Sequence, residues 1–123
     1  MSLEKLKSAE LVYLATPYSK YPAGLEKAHS EAARLTGELL KLGLRVYSPI
    51  SHTHPIAVYA GINPLDHSIW LPFDQAIMSK SDALLVAKMD KWEESYGIGE
   101  EIKWFGEAGR PIHYLDPNTM EIT

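Results

Sequence analysis

Two acids in this chain fall on the apolar sides of segments whose spacing predicts helices. The first is Glu101, within Ser95-Tyr96-Gly97-Ile98-Gly99-Glu100-Glu101-Ile102. Stepping 100° per residue from Ile98 puts Ile102, Phe105 and Gly109 within about 40° of one another's stripe. Glu101 lies on the edge of that stripe, and Glu100 points away from it toward solvent. Gly97 and Gly99 are expected to form a tight turn before the helix, which places Glu101 in its first turn, where the dipole favours an anion. The second acid is Asp74, which lies between Trp70, Ile77 and Met78 on the apolar side of a helix expected from Asp66 to Lys80. An inward carboxylate is either hydrogen-bonded within the fold or lines a polar pocket. Likewise, Glu101 is either a charge that satisfies the helix end or a reactive group. Two acids held in different environments are suited to general acid and nucleophilic roles in cutting a glycosidic bond. Tyr13, near the end of a strand, is either ordinary strand core or a hydroxyl that orients the Glu101 carboxylate.

These residues need elements to hold them. Leu11–Ala15 is a continuous apolar run, the form of a strand covered on both faces. From about Gly24 to Leu42, Leu25, Ala28, Ala32, Leu35 and Leu39 recur at helical steps, and Gly43 ends the helix. Leu44–Ser48 reads as a second strand stopped by Pro49. Ser48 to Leu65 is the least regular stretch, a long loop carrying His52 and His54, with one helical turn from Pro55 to Ala60. In the helix that follows, Pro72 suits a first-turn position. Ser81–Ala87 and Pro111–Leu115 read as third and fourth strands, and Met120–Thr123 as a short edge strand. Alternating strands and helices predict one α/β domain over residues 1–123, a doubly wound, Rossmann-like or flavodoxin-like three-layer fold with a mostly parallel sheet in the order 2-1-3-4. Ligands of such sheets sit beyond the carboxyl ends of the strands, between strands 1 and 3. That crevice gathers the Tyr13–Tyr18 loop, the Lys88–Gly99 loop and the start of the Glu101 helix.

Composition narrows the partners. The chain has 123 residues, 46% hydrophobic and 23% charged, with a formal net charge of −4 and no cysteine. It has no long basic run to track a nucleic-acid backbone, and disulfides and thiolate metal sites are excluded. Met1–Glu10 is charged without an apolar h-region, and no apolar run approaches membrane-spanning length. A cytoplasmic protein with no nucleic-acid or membrane partner is expected.

The residues also carry a family resemblance. The chain resembles the nucleoside 2-deoxyribosyltransferase superfamily, particularly its 2′-deoxynucleoside 5′-monophosphate N-glycosidases, from Val12 to about Leu115. The resemblance rests on Val12-Tyr13-Leu14-Ala15, on Asp74 eight residues before Asp82, and on the Ser95–Ile102 segment. It implies that Glu101 is the nucleophile at the anomeric carbon, that Asp74 assists proton transfer to the base, and that Tyr13 hydrogen-bonds Glu101. It also implies that Ser95 contacts a substrate phosphate. The transferase branch carries an Asp where this chain has Ser95, and the Thr16-Pro17-Tyr18-Ser19 loop departs from the monophosphate branch.

The resulting expectation is an N-glycosidase or deoxyribosyltransferase acting through a Glu nucleophile on a small molecule, a 2′-deoxynucleoside and foremost its 5′-monophosphate, with no cofactor. Candidate substrate contacts are Ser95, Gly97 and Gly99, with Thr16 and Pro17 in the first loop and His54 in a lid over the crevice. The alternative is a non-catalytic nucleotide-binding module using the same crevice, since the fold hosts many functions. His52, His54, Asp66 and His67 offer imidazole and carboxylate ligands, but no metal-binding spacing occurs and no metal is expected. His29 reads as helix surface and His113 as a strand residue. Trp92 and Trp104, read as exposed aromatics, suggest a homo-oligomer, and members of the resembled family associate.

Overall fold

The computed structural model describes residues 2–123; Met1, at the head of the charged N-terminal segment, lies outside them. The chain runs α1 (Ser2–Lys7), β1 (Val12–Ala15), α2 (Leu25–Lys41), β2 (Val46–Tyr47), α3 (Pro49–Ala60), α4 (His67–Ser79), β3 (Ala83–Ala87), a 3-10 turn (Trp92–Glu94), α5 (Tyr96–Glu107) and β4 (Ile112–Leu115). The four strands pair in parallel in the order β2-β1-β3-β4, as expected. Val12 sits between Val46 and Ala83, and Val86 is in register with Tyr114. Instead of a further strand, the tail adds a single antiparallel bridge from Ile122 to Leu115.

Strand alternation divides the core into two layers. Val12, Leu14, Leu85 and Ala87 face Leu35 and Leu39 of α2 and Leu6 of α1. Tyr13, Ala15, Leu84 and Val86 face Met78 of α4 and Ile98 and Phe105 of α5. Helices α2 and α4 therefore cover opposite faces, and the sheet is buried on both sides, which accounts for the unbroken apolar β1 and β3. At the end of α2, Gly43 turns the chain at φ 95°, which an L side chain resists.

The largest difference from the sequence reading is α3. The irregular stretch is a twelve-residue helix. Ser48 Oγ accepts from the Ser51 amide at 3.3 Å, Pro49 occupies the first turn, and Gly61 closes the helix at φ 69°. The glycine and proline signals that suggested a loop are the two ends of a helix. Pro55 lies inside α3, and Pro72 lies inside α4 rather than in its first turn, because α4 already begins at His67 behind an Asp66 cap. The N-terminal helix α1 was not expected.

One cation locks the far end of α4. The Arg110 guanidinium donates to the carbonyls of Met78, Ser79 and Ser81 at 3.1, 3.0 and 2.7 Å. It also lies over the Trp104 ring at 5.4 Å. Charge-assisted bonds to carbonyls at and just beyond the helix end stabilise the fold. Arg110→Ala should lower the free energy of unfolding by about 1–3 kcal/mol, read by urea denaturation.

Candidate active site

A pocket opens beyond the carboxyl ends of β1 and β3. Thr16, Tyr18 and Ser19 come from the loop after β1, and Pro49, Ile50 and Thr53 from the start of α3. Pro64, Leu65, His67, Trp70 and Asp74 form the α4 side; Ser95, Gly97 and Glu101 close it from α5. The structure thus brings Glu101 and Asp74 to one pocket, at the switch point between β1 and β3.

Glu101 is only 8% exposed. It sits in the second turn of α5, since Tyr96, Gly97, Ile98, Gly99 and Glu100 are already helical. This corrects the expected geometry: the helix dipole weakens beyond the first turn, and burial decides the protonation of Glu101. Burial, with Asp74 nearby, raises its pKa to about 8, partly offset by Tyr13. Burial likewise raises Asp74 to about 6. The two acids therefore titrate as a pair that holds one shared proton between about pH 6 and about pH 8.

Tyr13 is fully buried, its ring tilted against Tyr47 and Phe105 with centroids 5.9 and 6.0 Å away. Burial and the two acids push its hydroxyl far above the usual tyrosine range. That hydroxyl is beside Glu101 but meets no partner at hydrogen-bonding distance and angle. It does not line the pocket surface. Tyr13 is strand core and Glu101 neighbour at once. Tyr47, raised to about 12 by burial and by Asp74, lies near that acid.

Ser95 Oγ accepts from the Ile98 amide at 3.2 Å and caps α5, while the side chain borders the pocket. Gly97 borders it too, and a Cβ there would come only within 4.0 Å of Ser95 Oγ. Gly99 is exposed with open space around it and does not line the pocket. Neither glycine has a positive φ, so the tight turn expected of them is an ordinary helix start. Thr16 lines the pocket, whereas the adjacent Pro17 is buried away from it.

His54 is also away from the pocket. It is buried in α3, bonded through Nδ1 to the Tyr18 hydroxyl at 2.5 Å and through Nε2 to Glu26 at 2.9 Å. Because it belongs to a packed helix, His54 forms no lid. His52 stacks on Phe73 and the His67 ring lies tilted against Tyr96; among the described residues the four ligands weighed from sequence do not converge. Glu100 is half-buried rather than solvent-facing, and borders a small cavity shared with Asp74 and Glu101. The α3 wall, His67 and Trp70 were missed from sequence; the Ser48-Pro49 helix start was the signal for that wall.

A group of buried polar atoms lacks partners among the described residues: the Tyr13 and Tyr47 hydroxyls, Thr16 Oγ1 and Asp74 Oδ1. Such atoms carry a desolvation cost unless something bonds them. Thr16 and Asp74 are in the pocket lining; Tyr13 and Tyr47 are not, but Tyr13 neighbours both acids and Tyr47 neighbours Asp74. The arrangement can donate a proton from one carboxyl, present a second carboxylate to an electron-poor carbon, and bond hydroxyl-rich ligands.

A protein-family model matches residues 10–116, which includes every residue of this pocket. The chain belongs to the DUF1937 family, a domain of unknown function. No curated protein matches it. Among the described residues of this family member, no helix is long and apolar enough to cross a membrane.

Proposed function

We propose that the protein is an N-glycosidase or deoxyribosyltransferase of the nucleoside 2-deoxyribosyltransferase type. Its substrate is a 2′-deoxynucleoside or the corresponding 5′-monophosphate. The observation that carries this reading is the pair of acids with raised pKa values facing one pocket, with the unpartnered Thr16 hydroxyl in the same lining.

In this reading a carboxylate oxygen of Glu101 attacks C1′ and forms an ester as the C1′–N bond breaks. The bonding electrons go to the base nitrogen, which takes a proton delivered by Asp74. Positive charge growing at C1′ favours the ionised form of Glu101, moving the shared proton toward Asp74 and the base. Water or a second base then attacks C1′ and releases Glu101. The pocket lining holds two acids and no lysine or arginine. A dianionic phosphate gains nothing from such a field, so the neutral nucleoside is the favoured form.

The test is chromatographic. The protein is incubated with the four deoxynucleosides and their monophosphates, with and without a second free base. Release or exchange of base, faster for nucleosides, is the expected result. Binding without any base release would instead identify a nucleotide-binding module.

We also propose self-association, on different residues from those the sequence suggested. Trp92 and Trp104 are half-buried against the core, Trp92 on Tyr114 and Trp104 on Phe105. Exposed apolar side chains occur instead on α3 and α4: Tyr59 is 90% exposed, with Val58, Ile69 and Phe73 also open. A homo-oligomer at micromolar concentration is expected by light scattering, and Val58→Asp should shift it toward monomer. A wild-type monomer would remove the idea.

A further inference from the structure

Away from the pocket, two histidines and an acid converge where α2 meets α3. His29 and Glu26 are three residues apart on one side of α2, and His54 reaches across from α3. Their ligand atoms lie within 4.8 Å of one another. His54 Nε2 is 2.9 Å from one Glu26 oxygen, and His29 Nδ1 is 3.8 Å from the other. Tetrahedral coordination at about 2.0–2.1 Å puts neighbouring ligand atoms about 3.3 Å apart, between those two separations.

His29 Nδ1 supplies the independent observation. It is buried, it has no hydrogen-bond partner among the described residues, and it is the atom that faces Glu26. A surface histidine satisfied by water would not leave that nitrogen orphaned. We infer that Glu26, His29 and His54 form a site for a divalent transition-metal ion of the zinc type, which fastens α2 to α3.

The ligand chemistry suits the ion. Two imidazoles and one carboxylate are the donor types zinc prefers when thiolates are lacking, and three protein ligands leave a fourth position for water. The Glu26 side chain is 81% exposed while that of His54 is 7% exposed, so the ion would enter from solvent on the Glu26 side. The two rings stack at 24° with centroids 4.7 Å apart, and they must tilt toward each other to share an ion. An ion on Nε2 requires that nitrogen to be unprotonated, which leaves the proton on Nδ1 to be donated to the Tyr18 oxygen. Tyr18 lines the pocket, so metal binding would also fix one wall of it. The inference does not depend on the reaction proposed above.

The experiment uses the full chain, stripped with a chelator and titrated with zinc alone by calorimetry, then with cobalt(II) followed by visible absorption. One ion per chain is expected, with the intense cobalt bands of a tetrahedral site. Glu26→Gln and His29→Gln should each weaken zinc binding by about tenfold or more, and His52→Gln should leave it unchanged. Glu26 is exposed, so Glu26→Gln keeps the fold even where loss of buried His54 would not. One equivalent of zinc should raise the melting temperature of the wild type and not of Glu26→Gln. No saturable binding, or equal binding in Glu26→Gln and His29→Gln, would overturn the inference.

Discussion

Glu101→Gln is expected to lower base release by about a thousandfold or more while raising the melting temperature at pH 8 by several degrees. The loss follows from removing the group that attacks C1′. The gain in stability follows from linkage. In the folded chain Glu101 keeps its proton up to about pH 8, whereas in the unfolded chain it releases it near the ordinary value of 4.5. Between those limits the folded state binds more protons than the unfolded state, so wild-type stability falls as pH rises. Glutamine has no charge to bury and escapes that fall. The melting-temperature difference between the two proteins should therefore shrink toward pH 4.5 and below. Glu100→Gln, one residue earlier and half-buried, should keep turnover within about twofold of wild type.

Asp74→Asn should lower turnover by about a hundredfold for bases that must be protonated to leave, and by much less for leaving groups that need no proton. The same carboxyl, as proton donor, gives the pH profile its alkaline limb. Below about pH 6 both acids are protonated and no carboxylate is available; above about pH 8 both are ionised and no proton remains to give. Wild-type kcat/KM should therefore be bell-shaped between those limits; in Asp74→Asn the alkaline limb should disappear, while an acid limb remains because Glu101 must still be ionised to attack. A flat profile in the wild type would remove the shared proton from the account.

Much of this architecture was legible because two periods are written clearly in the chain. Leu11–Ala15 and Ala83–Ala87 are apolar without interruption, and the Leu25–Leu39 stripe is helical, which together dictate a doubly covered parallel sheet. The inward positions of Glu101 and Asp74 followed from the same arithmetic. What the periodicity could not supply was where helices begin. The helix α5 starts at Tyr96 because Ser95 caps it, and glycines that resembled a turn are absorbed into the helix. The helix α3 has a weak apolar stripe and an internal proline, so its capping serine and first-turn proline were its main signals. His54 was misplaced for that reason, because its partner Glu26 lies on another helix, 28 residues earlier. That both acids would have raised pKa values was illegible too, since desolvation depends on how completely the pocket walls close over each one.

The central claim is that Glu101 bonds covalently to the sugar. Its most direct test is intact-protein and peptide mass spectrometry after acid quench of the wild type during turnover with a deoxynucleoside. The account expects a deoxyribosyl adduct on the peptide carrying Glu101, absent from Glu101→Gln and discharged when a second base is added. Base release with no adduct on that peptide, or an adduct that persists in Glu101→Gln, would contradict it.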